Sequence, residues 1–165
     1  FGLAAFCVAG SGCAGYQLGS LKPTAMSHIE SIAIPTFSNK TLEPRSQVLV
    51  TNEVIKQLQR DGTYSVADPA KGGDAILHGT ITDIERRQMR SSRTDVLRTR
   101  EMEFRLIVEF TLEDTETGAE LDRGTIMGVT SVYLDPNFQL TERQALQIAA
   151  EDLAQRLASR ISEGY

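Results

Sequence analysis

The chain has 165 residues, 41% of them hydrophobic and 24% charged, with a formal net charge of −5. Those proportions suit one folded domain with a core of its own, and the acidic balance argues against a general nucleic-acid binder, which is normally basic. Low aromatic content and the absence of tryptophan leave no obvious platform for stacking bases or sugars.

Phe1 to Gly12 carries no charge and consists of small and apolar residues. It is too short to span a membrane as a helix, which takes about 20 residues, and it reads as the end of a secretory signal. Gly10-Ser11-Gly12-Cys13 then resembles a bacterial lipobox, with Gly10 where Leu is usual. Cys13 becomes the expected lipidation site and first mature residue, and Cys7 leaves with the signal. The mature chain would hold one blocked cysteine and no disulfide. Gly10 to Gly15 also satisfies G-x-G-x-x-G, but the strand, helix and acidic residue that a dinucleotide fingerprint needs are missing. Residues 13–27 read as the lipidated cysteine and a tether, and residues 28–165 as a single domain.

His28 to Phe37 predicts a strand, with pairing weakened at Pro35, which has no N–H to donate. Ser38 to Thr41 has turn chemistry. A helix is expected from Glu43 or Pro44 to Arg60, with Val48, Thr51, Asn52, Ile55 and Leu58 on its buried face and Val50 and Val54 widening it. Asp61-Gly62 ends that helix, and Thr63 to Ala67 reads as a short edge strand. From Asp74 to Gln88 apolar residues alternate until Asp83-Ile84, where the phase slips and a bulge is expected.

Glu101 to Glu113 alternates almost throughout, with Met102, Phe104, Leu106, Val108, Phe110 and Leu112 on one side. Only Ile107 breaks the period of two, so this is a long strand with one face on a core. After a turn at Thr115–Gly118, Ala119 to Tyr133 gives a third strand of a meander, with Leu121, Thr125, Met127, Val129 and Tyr133 expected inward. Thr141-Glu142-Arg143-Gln144 reads as a capping box. Leu146, Ala149, Ala150, Leu153, Leu157 and Ile161 follow at helical spacing. The expected fold is α+β: two helices packed on one face of a mostly antiparallel four-stranded sheet, in the order β-α-β-β-β-α.

Catalysis finds little support. His28 and His78 lack local partners that would mark a ligand or general base, and Glu101, Glu103 and Glu109 read as a solvated sheet face. No catalytic residue, metal site or cofactor is expected. One cluster stands out in an acidic chain: Arg86, Arg87, Arg90, Arg93, Arg98 and Arg100 flank the Ser91–Asp95 turn. Arginine binds planar anions bidentately, so the tip of this hairpin is a candidate anion site. Like charges that simply keep an edge solvated are the bland alternative.

Gly15-Tyr16 after the cysteine, Ile32-Ala33-Ile34-Pro35-Thr36-Phe37-Ser38-Asn39-Lys40-Thr41, the helix after Glu43-Pro44 and Asp74 to Ile81 together resemble the LPS-assembly lipoprotein LptE family. The resemblance implies a lipid-anchored protein on the periplasmic side of the outer membrane. It would plug and help assemble the β-barrel LptD and bind lipopolysaccharide on its way to the outer leaflet. Its partners would be that barrel, lipopolysaccharide and, through acyl chains, the membrane, with no nucleic acid. Lipid A phosphates would be the ligand for the six arginines, and Ala14 after the cysteine fits outer-membrane sorting. The alternative is a periplasmic regulatory lipoprotein that docks on a peptidoglycan synthase or forms a secretion-type assembly.

Overall fold

The structure, a computed structural model, describes residues 22–23, 26–88, 101–133 and 138–164, with side chains from residue 142 onward in the last stretch. Cys13, the signal residues, the Ser91–Asp95 turn and Arg90, Arg93, Arg98 and Arg100 lie outside the described residues. The elements are β1 (Ser31–Ala33), β2 (Ser38–Asn39), α1 (Ser46–Asp61), β3 (Ser65–Ala67), β4 (Ala75–Gln88), β5 (Glu101–Asp114), β6 (Glu120–Tyr133) and α2 (Phe138–Glu163).

The α+β class and the two helices agree with the expectation, but the sheet is six-stranded and mixed rather than four-stranded and mostly antiparallel. Its order is β3-β1-β4-β5-β6, with β2 also paired to β4. β4, β5 and β6 form the expected antiparallel meander. β1 pairs in parallel with both β3 and β4, because α1 carries the chain back before β3 begins, as parallel neighbours require. β1 and β2 are two pieces of one path along β4, aligned at Ile32↔Ala75 and again at Ser38↔Thr80. Pro35 lies in the gap. The backbone that leaves the ladder there is met by α1, where Thr51 Oγ1 accepts the Phe37 N–H at 2.9 Å.

β5 supplies the centre of the core, and Phe104, Leu106, Val108, Phe110 and Leu112 are all buried. The expected phase slip in β4 is a bulge between Ile81 and Asp83. It returns Ile84 to the helix-facing side, opposite Leu106. On α1 the buried positions are Ser46, Val50, Thr51, Glu53, Val54 and Leu58, while Val48 is 49% exposed and Asn52 faces solvent. The Val50–Val54–Leu58 stripe, one residue every turn, turns the helix about its axis from the expected face. On α2 the predicted stripe packs into the core together with Ala145, Ala154 and Ala158. The helix begins at Phe138, so Thr141 lies inside it rather than capping it.

β6 shows the largest departure. Met127 and Tyr133 are 40% and 66% exposed, and Thr125, Met127, Val129 and Tyr133 share the helix-free side. Leu121 alone of the expected set packs against the core, because a register shift beside it makes it the extra residue of a bulge. The inward positions include Gly124, Ile126 and Gly128. A Cβ on Gly128 would lie 2.0 Å from the Ala149 carbonyl oxygen and 2.8 Å from Leu153 N, so the backbone of α2 rests directly on the strand. Glycine is required there for close approach. The Val129 N–H, at the open edge of β6, donates to Asp152 Oδ2 of α2 at 2.9 Å.

Candidate functional site

The base of the β4–β5 hairpin is where the described part of the arginine cluster sits. The period of two sends neighbouring residues to opposite faces, so Arg86 and Arg87 do not converge. Arg86 lies opposite Phe104 on the helix side, its guanidinium 5.9 Å from the centre of that ring. Its Nε donates to Glu142 near the start of α2, and its Nη2 lies 3.1 Å from Glu43 just before α1. Arg86 therefore joins both helices to the hairpin, and its donors are turned inward onto two carboxylates. A cleft of about 240 Å³ lies beside this bridge, with Ile84, Phe104 and Leu146 as apolar lining and Arg143 at its margin.

Arg87 is on the helix-free face, opposite Glu103. It pairs with Glu85 at 2.8 Å and keeps 55% of its side chain exposed. Arg105 pairs with Glu103 at 2.6 Å on the same face. The result is a small checkerboard of opposite charge, with Ile107 and Met127 forming an apolar step beside it. Of the six candidate arginines, Arg87 is thus the described one whose charge faces outward. The alternation in the sequence already separated Arg86 from Arg87. Nothing local marked Glu43 and Glu142, 43 and 56 residues away, as partners.

The opposite end of the sheet holds an ionic cluster that the sequence did not reveal. His28 Nε2 is 2.7 Å from Asp114 Oδ2, while Ser31 Oγ donates to Asp74 Oδ2 at 2.9 Å. These are two separate pairs rather than a Ser-His-Asp relay. Asp114 caps the β5–β6 turn by accepting the N–H groups of Thr117 and Glu116 at 2.9 and 2.8 Å. The Thr117 N–H, then His28, hold its pKa down to about 2. An unfolded aspartate titrates near ~3.9, so Asp114 stabilises the fold above that pH and loses its contribution as pH falls toward 2. At pH 5 the urea midpoint of the parent should exceed that of Asp114→Asn. The margin should shrink below about pH 4; a margin independent of pH would remove the turn-cap role.

Among the described residues no three His, Cys, Asp or Glu side chains are grouped to hold a metal, and no helix is long and apolar enough to cross a membrane. The family comparison decides the broader question. A family model described as LptE, lipopolysaccharide-assembly, matches residues 29–161. The chain belongs to the LptE family. That match takes in every described strand and nearly all of α2, and it identifies the chain with lipopolysaccharide assembly in the outer-membrane envelope. No curated protein matches.

Solved structures share the fold at low identity. A minor lipoprotein from Acinetobacter baumannii is 16% identical with a TM-score of 0.56, over 83% of this chain and 95% of that one. A PelC dodecamer from Paraburkholderia phytofirmans is 17% identical with a TM-score of 0.56, over 86% and 93%. The hypothetical protein CT253 from Chlamydia trachomatis is 10% identical with a TM-score of 0.58, over 83% and 97%. The LptE family is therefore built here on an architecture that very different sequences also adopt, and these likenesses speak for the fold alone.

Proposed function

We propose that the protein is an outer-membrane lipoprotein, acylated at Cys13 and facing the periplasm. It plugs and helps assemble an LptD-like β-barrel and binds lipopolysaccharide during transfer to the outer leaflet. The family match over residues 29–161 carries this reading and favours it over a synthase-docking lipoprotein. Several acyl chains would hold the protein at the membrane, since one gives only marginal binding. The charged, helix-free face of the sheet suits the polar lumen of a large barrel. Arg87, Arg90, Arg93, Arg98 and Arg100 would meet lipid A phosphates or acidic groups of the barrel wall. Arg86 is already held by Glu43 and Glu142 and is left out of that set.

Purifying the native lipoprotein from membranes tests the proposal. A heat-modifiable β-barrel should accompany it, together with lipopolysaccharide. Recovery of a peptidoglycan synthase instead would overturn the assignment.

A further inference from the structure

Leu42 is fully exposed, yet it stands on an ordered loop. The Asn39 side chain ties that loop down, donating to the Glu43 carbonyl at 2.9 Å and accepting from Thr41 N and Oγ1 at 2.9 and 2.7 Å. The Lys40 N–H donates to the Ile81 carbonyl at 2.9 Å. At the far side of the loop Arg45 is the one described non-glycine residue with a positive φ, 65°, a conformation that costs free energy and persists only where surroundings impose it. The loop is therefore held in one shape with its leucine outward. Lys40 and Arg45 flank it, both exposed and neither in an ion pair among the described residues.

Beneath the loop a cleft of about 360 Å³ runs to β4, lined in part by Lys40, Leu42, Thr82 and Ile84. It shares Ile84, Glu43 and Arg86 with the cleft at the hairpin base, so the two adjoin across the Glu43–Arg86 bridge. Of its two acids, Glu43 pairs with Arg86, while Asp83 keeps its charge and accepts the Ile84 N–H on Oδ1 at 2.7 Å. An apolar knob and lining, with Lys40 at the cleft and Arg45 at the far side of the loop, match a molecule with acyl chains beside phosphates.

We infer that the Lys40–Arg45 loop is a second arm of the ligand-binding end, with Leu42 and Ile84 taking acyl chain of an anionic glycolipid and Lys40 and Arg45 its phosphate. This rests on the lipopolysaccharide-binding reading above and adds a separate site to it. The test uses the full chain with Cys13→Ser, titrated with lipopolysaccharide and with the same molecule fully deacylated. Leu42→Asp should weaken binding of the acylated form about tenfold, the order expected for losing one buried leucine, and leave the deacylated form unchanged. Lys40→Glu with Arg45→Glu should weaken both. Because Leu42 touches no core residue, its melting temperature should match the parent, and Leu42→Ser provides an uncharged check. Parental affinity in both Leu42 variants, or an equal loss for both ligands, overturns the inference. Loss in the Leu42 variants with full binding in hairpin-tip variants would uphold this arm and refute the tip; a parent that binds neither ligand refutes both.

Discussion

Gly128→Ala is expected to destabilise the protein by about 3 kcal/mol or more, at the upper end of what overpacking costs. The added methyl would sit 2.0 Å from the Ala149 carbonyl oxygen and 2.7 Å from Leu153 Cβ. Neither can give way alone, because both belong to the buried stripe of α2. The helix must lift, and with it the contacts of Leu153 and Leu157 to the core. At roughly 2–4 °C per kcal/mol for a chain of this size, the melting temperature should fall by about 6–12 °C. Gly118→Ala is the informative control. Gly118 has φ 68° with nothing within 4 Å of its would-be Cβ, so only the conformational term applies, about 1 kcal/mol. Equal melting shifts for the two variants would mean that α2 does not rest on the strand backbone.

Reversing Arg87, Arg90, Arg93, Arg98 and Arg100 to Glu should reduce lipopolysaccharide affinity by at least about a hundredfold, or ~2.7 kcal/mol. That is modest for five cations, since a single charge-assisted hydrogen bond contributes about 1.5–3 kcal/mol. Binding by the parent should weaken as salt rises from 0.05 to 0.5 M, and the residual binding of the variant should be less sensitive. Arg86 is left out because its carboxylate partners make it part of the scaffold. Arg86→Ala should lower stability by no more than about 1 kcal/mol, since the group is partly exposed, and should change affinity less than Arg87→Ala does. Unaltered binding by the fivefold variant would remove the tip from the ligand site.

The contrast between these two experiments reflects what could be read from the residues. Strand β5, the α2 stripe and the bulge near Asp83 follow from periodicity, because in each case the side chains themselves report the face, and the interruption at Pro35 follows from its missing N–H. β6 misleads for the opposite reason. Its helix-facing positions include Gly124 and Gly128, which have no side chain to report anything, while Met127, Val129 and Tyr133 supply an apolar alternation on the wrong side. The parallel pairing of β1 and β3 was equally invisible, since three-residue strands carry almost no pattern and depend on α1 to bring them together. At the candidate site the cluster of arginines was plain, but its division into a clamped Arg86 and an outward Arg87 depends on Glu43 and Glu142 arriving from other elements. Leu42 offered no signal at all: an isolated leucine in a turn is ordinary until the turn is seen to hold it rigidly in solvent.

The length of α2 has a consequence for how the molecule stands. Glu142 near its start holds the hairpin base through Arg86, while Gly164 just past its end packs against Pro23, where the chain enters the domain. Glu142 and Gly164 are 22 residues apart, so roughly 33 Å separates these points at ~1.5 Å per residue. The nine residues from Ala14 to Lys22 can reach at most about 32 Å when fully stretched. With the anchor point at Cys13, as proposed, the domain is a stand-off arm. Held upright on the proposed anchor, it would lift Arg87 and Leu42 away from the leaflet, so that the proposed cargo would be met at a height set by one helix.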